Sequence, residues 1–382
     1  MQLLKPVLAT LDTLLLSRQV PRMVVDSNIQ RIARLTPLAD VLNSFQTSIQ
    51  PVAPHEEALS DALGKVLAAD VAIAEGLPKS ARALRDGFAV RAEMTTDASS
   101  YAPAPLSPKP LRVDLGEALP DGTDAVAPLD AINDRGEATA PIAPGEGVLA
   151  AGGEAPPGVL RLAGSRLRRI DLALMQTLGI GRVLIRQARV RVIGDGASAA
   201  AIASAIEADG GVALRDGASL EAALQMDDTD AVVCAGGTGS GRNDRSVHTL
   251  AKHGQLSVHG VAIMPGETTA VGSALAGPVL LLPGRLDAAL AGWLTIGRRL
   301  LARLNFRLVE EQPFSAELSR KIASPLGLAE VVPVRRRLGT VEPLTSGHLP
   351  AHALARADGW ILVPADSEGY PAGAKVPVRA WP

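Results

Sequence analysis

The residues best suited to chemistry lie between Asp230 and Leu250. Asp-Ala-Val-Val-Cys-Ala runs into Gly-Gly-Thr-Gly-Ser-Gly-Arg-Asn-Asp and then Arg-Ser-Val-His-Thr-Leu. The first part is apolar and β-branched, which predicts a buried strand. Gly236, Gly237, Gly239 and Gly241 put four glycines into six residues, with Thr238 and Ser240 between them. Glycine reaches positive φ and lets the backbone approach a ligand with no Cβ in the way. The last part predicts a helix, capped by Asn243 or Asp244, with Val247, Leu250 and Ala251 on one face and Gly254 ending it. Strand, glycine loop and helix start together offer N–H groups and a helix dipole to a phosphate. The spacing matches neither the dinucleotide fingerprint nor the phosphate loop that ends in Gly-Lys-Ser/Thr. A turn needed only for packing would use fewer small residues. Cys234, on the strand, reads as a buried structural thiol, because a reactive one needs an open, electropositive site.

Strands alternate with helices around this stretch. Val190 to Ile193 predicts a strand, Ser198 to Ala208 a helix, Val212 to Leu214 a strand, Leu220 to Met226 a helix and Val279 to Leu282 a strand. Pro283-Gly284-Arg285 then leads into a long helix from Leu286 to Leu304. This alternation predicts a parallel sheet covered on both faces. Ligands in such sheets sit beyond the carboxyl ends of the strands. Gly194 to Gly196, the glycine loop and the Pro283 turn all follow strand ends, so they should line one rim.

Before that region, Thr36 as cap and Pro37 in the first turn open a helix with Leu38, Val41, Leu42 and Phe45 on one face. Residues 56–69 read as a second helix with Leu59, Leu63, Val66 and Leu67 as its stripe, weakened at Gly64 by about 1 kcal/mol relative to alanine. Val71 to Ile73 alternates as a strand. Asp86-Gly87 is a turn into the strand Phe88 to Val90, with Arg82 and Arg85 beside it. Residues 101–110 hold four prolines and read as a connector. Residues 113–157 read as short β segments, and residues 170–178 as a helix closed by Gly179. The tail from Phe314 predicts a small β-barrel or sandwich.

Composition limits the partners. The chain has 382 residues, 47% hydrophobic but only 2% aromatic, so its cores must be Ala, Leu and Val. A length like this predicts two to four domains. Net charge is −2 and there is no dense Lys/Arg block, which leaves nucleic acid without an electrostatic footprint. The single cysteine excludes an intrachain disulfide and suits a reducing, cytoplasmic setting. Residues 1–16 read as a loose helix, too short in apolar run to span a membrane, and Met23 offers a second start. His348 and His352 make no metal-ligand spacing with other histidines and read as surface residues.

Several motifs in order resemble the molybdopterin molybdenumtransferase family, MoeA-like, whose eukaryotic relative is the gephyrin E domain. They are Leu63-Gly-Lys-Val-Leu-Ala-Ala-Asp70, Asp86-Gly-Phe-Ala-Val90, Leu119-Pro-Asp-Gly-Thr-Asp-Ala-Val126, the Gly236 loop closing in Asp244, Met264-Pro-Gly266, Leu282-Pro-Gly284 and Ala357-Asp-Gly359. The resemblance runs from about Leu35 to the C-terminus. It implies an α/β multidomain protein with a central parallel-sheet (MogA/MoaB-like) molybdopterin-binding domain, a β-rich inserted domain, a helical linking domain and a C-terminal β-barrel. The implied boundaries are an N-terminal extension at 1–34, a discontinuous linking domain at 35–69 and 150–183, the inserted domain at 70–149, the α/β domain at 184–309 and the barrel at 310–382. It also implies an elongated homodimer in the cytoplasm that inserts molybdate into adenylated molybdopterin with Mg²⁺ and releases AMP, with no membrane partner. The implied site lies between the α/β domain of one subunit and the β-rich domain of the other. Asp86 and Asp244 match the family's catalytic and metal-binding aspartates. Gly236, Gly237, Thr238, Gly239, Ser240, Gly241, Asp195, Pro283, Gly284 and Arg285 match its cofactor-binding turns. Glu154 stands where the family has an aspartate.

The departures from the family are concrete. The family's Thr-Gly-Asp-Glu-Leu is Ile193-Gly-Asp-Gly-Ala197, without the glutamate. Its Lys-Pro-Gly-Lys-Pro is Met264-Pro-Gly-Glu-Thr268, so both lysines are gone and Glu267 is acidic. Leu-Pro-Gly-Asn-Pro has become Leu282-Pro-Gly-Arg-Leu286, where Arg285 adds a charge that would offset part of the loss. Ala150 and Ala151 replace arginines. Two functions from different classes follow: a molybdenum insertase, or a non-catalytic binder that carries molybdopterin or the finished cofactor to a client molybdoenzyme.

Overall fold

The computed structural model describes residues 30–307 and 313–381. The loose helix expected over residues 1–16, and Met23, lie outside them. The described chain divides into two compact units, one of residues 30–56, 63–68 and 184–381 and one of residues 57–62 and 69–183.

The first unit holds the alternating pattern. Its elements are α1 Leu38–Ser48, β1 Arg189–Ile193, α2 Ala197–Ala208, β2 Val212–Leu214, α3 Leu220–Ala223, β3 Ala231–Ala235, α4 Ser246–His253, β4 Gln255–His259, β5 Ala270–Ala274 and β6 Gly277–Leu282. The strand order is β2-β1-β3-β6-β5-β4. The first four strands are parallel, with Val192 beside Val233 and Val233 beside Leu280. β5 runs antiparallel to both of its neighbours, β6 and β4, so the sheet is mixed where the sequence predicts a parallel one. The reason is local: only Leu275 and Ala276 separate β5 from β6, and so short a link joins antiparallel strands alone.

Both faces are covered. Val190, Val233 and Leu280 point to a core with Ile202 and Ile206 of α2 and Val41 and Phe45 of α1. Val232, Cys234 and Leu281 point the other way, to Val247 and Leu250 of α4. Burying each such aliphatic side chain contributes roughly 1.5–3 kcal/mol, which compensates for the scarcity of aromatics. Thr36 does not cap α1. Pro37 takes the cap position, and Thr36 pairs its backbone with Gly260 and Ala262 instead.

The long helix after β6 runs as α5 Leu286–Gly292, a wide π turn Trp293–Gly297, and α6 Arg298–Leu304. Trp293 is fully buried, and its Nε1 donates to Asp209 Oδ2 at 3.2 Å. A Cβ on Gly297 would stand 2.1 Å from the Trp293 ring. Glycine is therefore what lets the ring lie across the turn.

The tail forms β7 Phe314–Leu318, β8 Ala329–Arg337, β9 Thr340–Pro343, β10 Gly359–Val363 and β11 Lys375–Ala380. They close in the order β8-β9-β7-β11-β10 and back to β8, a five-stranded barrel. Strand Ile263–Met264 pairs in parallel with β8, Met264 beside Glu330, and ties the barrel to the α/β sheet.

The second unit is β-rich. Strand Gly87–Val90 lies between Leu111–Val113 and Ala125–Ala127, both antiparallel to it. Val71–Ile73 pairs with Gly158–Arg161, and helix Arg169–Thr177 follows. The helix expected over residues 56–69 is not formed. In its place are strand His55–Ala58, a 3₁₀ turn Leu59–Asp61 and strand Val66–Leu67. Gly64 has φ +77, a left-handed turn that interrupts the stripe, while Leu59, Val66 and Leu67 are still buried.

Gly297→Ala should lower the free energy of unfolding by about 1–3 kcal/mol, the usual cost of overpacking. Gly181→Ala, whose Cβ would meet nothing within 4 Å, should stay within about 0.5 kcal/mol. Urea titration measures both. Equal midpoints for Gly297→Ala and wild type would mean that the Trp293 ring yields freely.

Candidate functional site

The rim forms because β1, β3 and β6 are neighbours and end together at Ile193, Ala235 and Leu282. Gly194 follows β1 with φ +128, and Gly236 follows β3 with φ +124. A Cβ on Gly194 would lie 2.8 Å from Ala235 O, and one on Gly284 would lie 3.5 Å from Gly236 Cα. Gly236 N donates to Leu282 O at 2.8 Å. Ser198 Oγ, in the first turn of α2, donates to Gly284 O at 2.8 Å. The Asp195 turn, the glycine loop and the Pro283-Gly284-Arg285 turn thus meet at one edge. Asp195, Gly284 and Arg285 are exposed there, and Pro283 is buried.

The carbonyls of the loop point inward and are taken. Gly236 O accepts Ser246 Oγ at 2.6 Å. Gly237 O accepts Ser246 N and Gln30 Nε2, both at 3.0 Å. Gly239 O accepts Gln30 Nε2 at 2.7 Å. Thr238 O receives His259 Nε2 at 3.0 Å, and Thr238 Oγ1 meets Thr268 Oγ1 at 2.8 Å. Burial lowers the pKa of His259, so the ring is neutral at pH 7 with its proton on Nε2 facing that carbonyl. The amides of Gly237, Thr238, Gly239 and Ser240 have no acceptor among the described residues. A run of such amides is a nest for an anion.

The start of α4 differs from expectation. Neither Asn243 nor Asp244 caps it: Arg245 holds the cap position without a side-chain bond. Asp244 turns back into the loop, where its Oδ2 accepts Gly241 N at 2.8 Å. The amides of Val247 and His248 are filled by Gln30 Oε1, at 2.9 and 3.1 Å. The donors open to an anion therefore belong to the loop and not to the helix.

Arg285 is exposed and also has a partner within the fold. Its guanidinium forks onto Asp287, Nε to Oδ1 at 3.1 Å and Nη2 to Oδ2 at 2.5 Å. Asp287 is buried, which opposes its ionisation. The Arg285 hydrogen bonds and backbone amides outweigh that and hold its pKa below the usual value. Glu267 accepts from Gly266 N at 3.1 Å. Burial pushes the Cys234 thiol up to about 11, which makes it inert near neutral pH.

Asp86 belongs to the second unit. It is exposed, and its Oδ1 accepts Leu115 N at 2.7 Å. Gly87 after it cannot be replaced without strain, since a Cβ would lie 2.2 Å from Ala127 O. Arg85 clamps Val126 O and Glu146, and Arg82 donates to Gly116 O. Both are structural ties. Glu154, Ala150 and Ala151 are exposed.

For a divalent cation, Asp86 and Asp244 each leave one carboxylate oxygen without a partner among the described residues. No group of three or more His, Cys, Asp or Glu among the described residues could hold a metal. Mg²⁺ is commonly held by one or two carboxylates with substrate phosphates and water, so the residues fit Mg²⁺ only as a site that substrate completes. Sequence reasoning missed Gln30, Thr268, His259 and Asp287. Asp287 carried a signal, standing two residues after Arg285; Gln30 carried none.

Comparison with known proteins gives three family matches. Residues 30–179 match the MoeA N-terminal region (domain I and II). Residues 193–303 match a probable molybdopterin binding domain, and residues 315–381 the MoeA C-terminal region (domain IV). A putative molybdopterin biosynthesis protein of Methanocaldococcus jannaschii is 25% identical over 365 residues, 83% of this chain and 90% of its own length. A molybdopterin molybdenumtransferase of Haemophilus influenzae is 24% identical over 70% of this chain and 78% of its own length. A crystal structure of the molybdopterin biosynthesis moeA protein from Pyrococcus horikoshii superposes with a TM-score of 0.75 at 23% identity, covering 91% of this chain and all of that one, a likeness of fold. No described helix is long and apolar enough to cross a membrane.

Native protein at pH 8 should leave Cys234 unlabelled by iodoacetamide and give one adduct after denaturation. Native labelling at the rate of a free thiol would contradict the burial. The depressed pKa of Asp287 adds stability that is complete above the ordinary carboxylate value of about 3.9 and fades as pH falls through the folded-state value. Asp287→Asn should therefore cost about 2 kcal/mol at pH 7, and progressively less below about pH 4. Denaturant unfolding across pH 3–7 reads the difference, and a gap independent of pH would refute the assignment.

Proposed function

The chain belongs to the MoeA-like family of molybdopterin molybdenumtransferases, and on that premise we propose that it inserts molybdate into adenylated molybdopterin and releases AMP. Molybdenum cofactor biosynthesis is the process its curated relatives serve, and those relatives are transferases. The observation that supports the reading most is the nest. The loop amides of Gly237, Gly239 and Ser240, with no acceptor among the described residues, sit where three strand-end turns meet. Such amides bind a phosphate without needing a cation.

In this reading the nest holds the pterin phosphate, and the Asp195 and Pro283–Arg285 turns flank the pterin. Asp244 holds its free oxygen at the loop's edge, and Asp86 of a second copy supplies the other aspartate. A Mg²⁺ bound with the substrate would neutralise phosphate charge. The working form is a cytoplasmic homodimer.

A second reading is favoured by charge. Arg285 is committed to Asp287, and Glu267 adds a negative group where the resemblance implies lysine. A binder that carries molybdopterin or the finished cofactor to a molybdoenzyme tolerates this better than a catalyst of oxyanion transfer.

Purified full-length protein with adenylated molybdopterin, Mg²⁺ and molybdate should release AMP. Asp244→Asn keeps an acceptor for Gly241 N and removes the charge, so it should lower kcat by about 100-fold or more while the fold is kept. Glu267→Lys should lower the KM for molybdate. Tight molybdopterin binding without AMP release would establish the carrier reading, and no binding at all would remove both.

A further inference from the structure

We propose that Gln30 is a positioning residue for the glycine turn that takes the molybdopterin phosphate, an inference that rests on the function proposed above. Gln30 is only 3% exposed. Its carboxamide has two acceptor lone pairs and two N–H donors, and all four are used. Oε1 accepts from Val247 N and His248 N, and Nε2 donates to Gly237 O and Gly239 O. The opposite amide orientation would set NH₂ against two N–H groups and oxygen against two carbonyls, so the surroundings admit one orientation only. The residue reaches the loop from 207 positions upstream of Gly237. Its own backbone is anchored just beyond: Ile32 packs on Gly260, Thr36 N donates to Gly260 O at 2.9 Å, and Ala262 N donates to Thr36 O at 2.8 Å.

The consequence follows from peptide geometry. In a trans peptide the C=O of one residue and the N–H of the next point in opposite directions. Pulling Gly239 O inward therefore turns the amide of the exposed Ser240 outward, and pulling Gly237 O inward fixes the peptide that leads into the buried Thr238. His259 does the same for Gly239 through Thr238 O. Gln30 thus aims the Ser240 donor and His259 the Gly239 donor.

The choice of a neutral amide matters as well. α4 lacks a side-chain cap of its own, and Gln30 supplies one without negative charge. The cap itself thus adds no negative charge against the positive end of the helix dipole. A carboxylate at the same place would cap the helix equally and repel the ligand.

This separates positioning from mere stability. Gln30→Met keeps the shape and loses both bond types. Gln30→Glu keeps the acceptor for Val247 and His248, loses the donors to the loop, and adds a charge. The readouts on full-length protein are amide hydrogen exchange at Gly241 and Ser246, whose amides are bonded within the loop, and at Val247 and His248, together with the thermal midpoint and the Kd for molybdopterin.

Gln30→Glu should keep wild-type protection at Val247 and His248 yet expose the loop, and its Kd should rise about tenfold or more. Gln30→Met should lose protection at both places and bind about tenfold more weakly. If wild type binds molybdopterin and Gln30→Glu, folded and capped, binds it within about twofold, the carboxamide is only structural and the proposal is overturned. If wild type itself fails to bind molybdopterin, the reading of the turn falls, and the role of Gln30 falls with it.

Discussion

The rim depends on how closely three parallel strands end. With β1, β3 and β6 side by side, the chain leaving β1 has no room for a Cβ at Gly194, and the turns after β3 and β6 pack backbone against backbone. Gly194 abuts the carbonyl of Ala235, and Gly284 comes against Gly236 at van der Waals distance. Peptide groups are then what the edge presents. Such an edge recognises ligands by amide donors and helix dipoles, and side-chain charges only modulate it.

That division explains how the site departs from its family pattern without losing its form. The nest amides do not need the missing lysines to point outward, because their direction is set from behind by Gln30 and His259. Charge at the rim is another matter. Arg285 is held by Asp287, and Asp287 also receives Leu349 N from the barrel segment at 3.4 Å. An arginine that could have met an oxyanion serves instead in the link between the α/β sheet and the barrel. Transfer chemistry relies on stabilising developing charge, and recognition of a phosphate by neutral donors does not.

Much of the architecture is legible in local pattern. The strand before the glycine loop, helix α4 with its Val247 and Leu250 face, and the barrel strands Val331 to Val334 and Trp360 to Val363 all follow from periodicity. Patterns of period fail where one residue changes the backbone. Gly64 at φ +77 breaks what reads as a helical stripe over residues 56–69, and the stripe's buried residues serve two short strands equally well. The antiparallel arm β5–β4 was hidden for a different reason, since strand direction depends on connection length and not on side chains.

The sequence by itself determined which turns could bind an anion, because a left-handed backbone at Gly194, Gly236 and Gly237 is a property of the residue type. It also determined the cores, since aliphatic alternation specifies which face of each strand is buried. Only the tertiary structure decided which donors remain free. Gln30, Thr268 and His259 act on the rim from elsewhere in the chain, and a hydrogen bond between residues far apart leaves no trace in spacing. An expected cap, an expected free arginine and an expected helix-end anion site were all reassigned by contacts that exist only once the chain has folded back on itself.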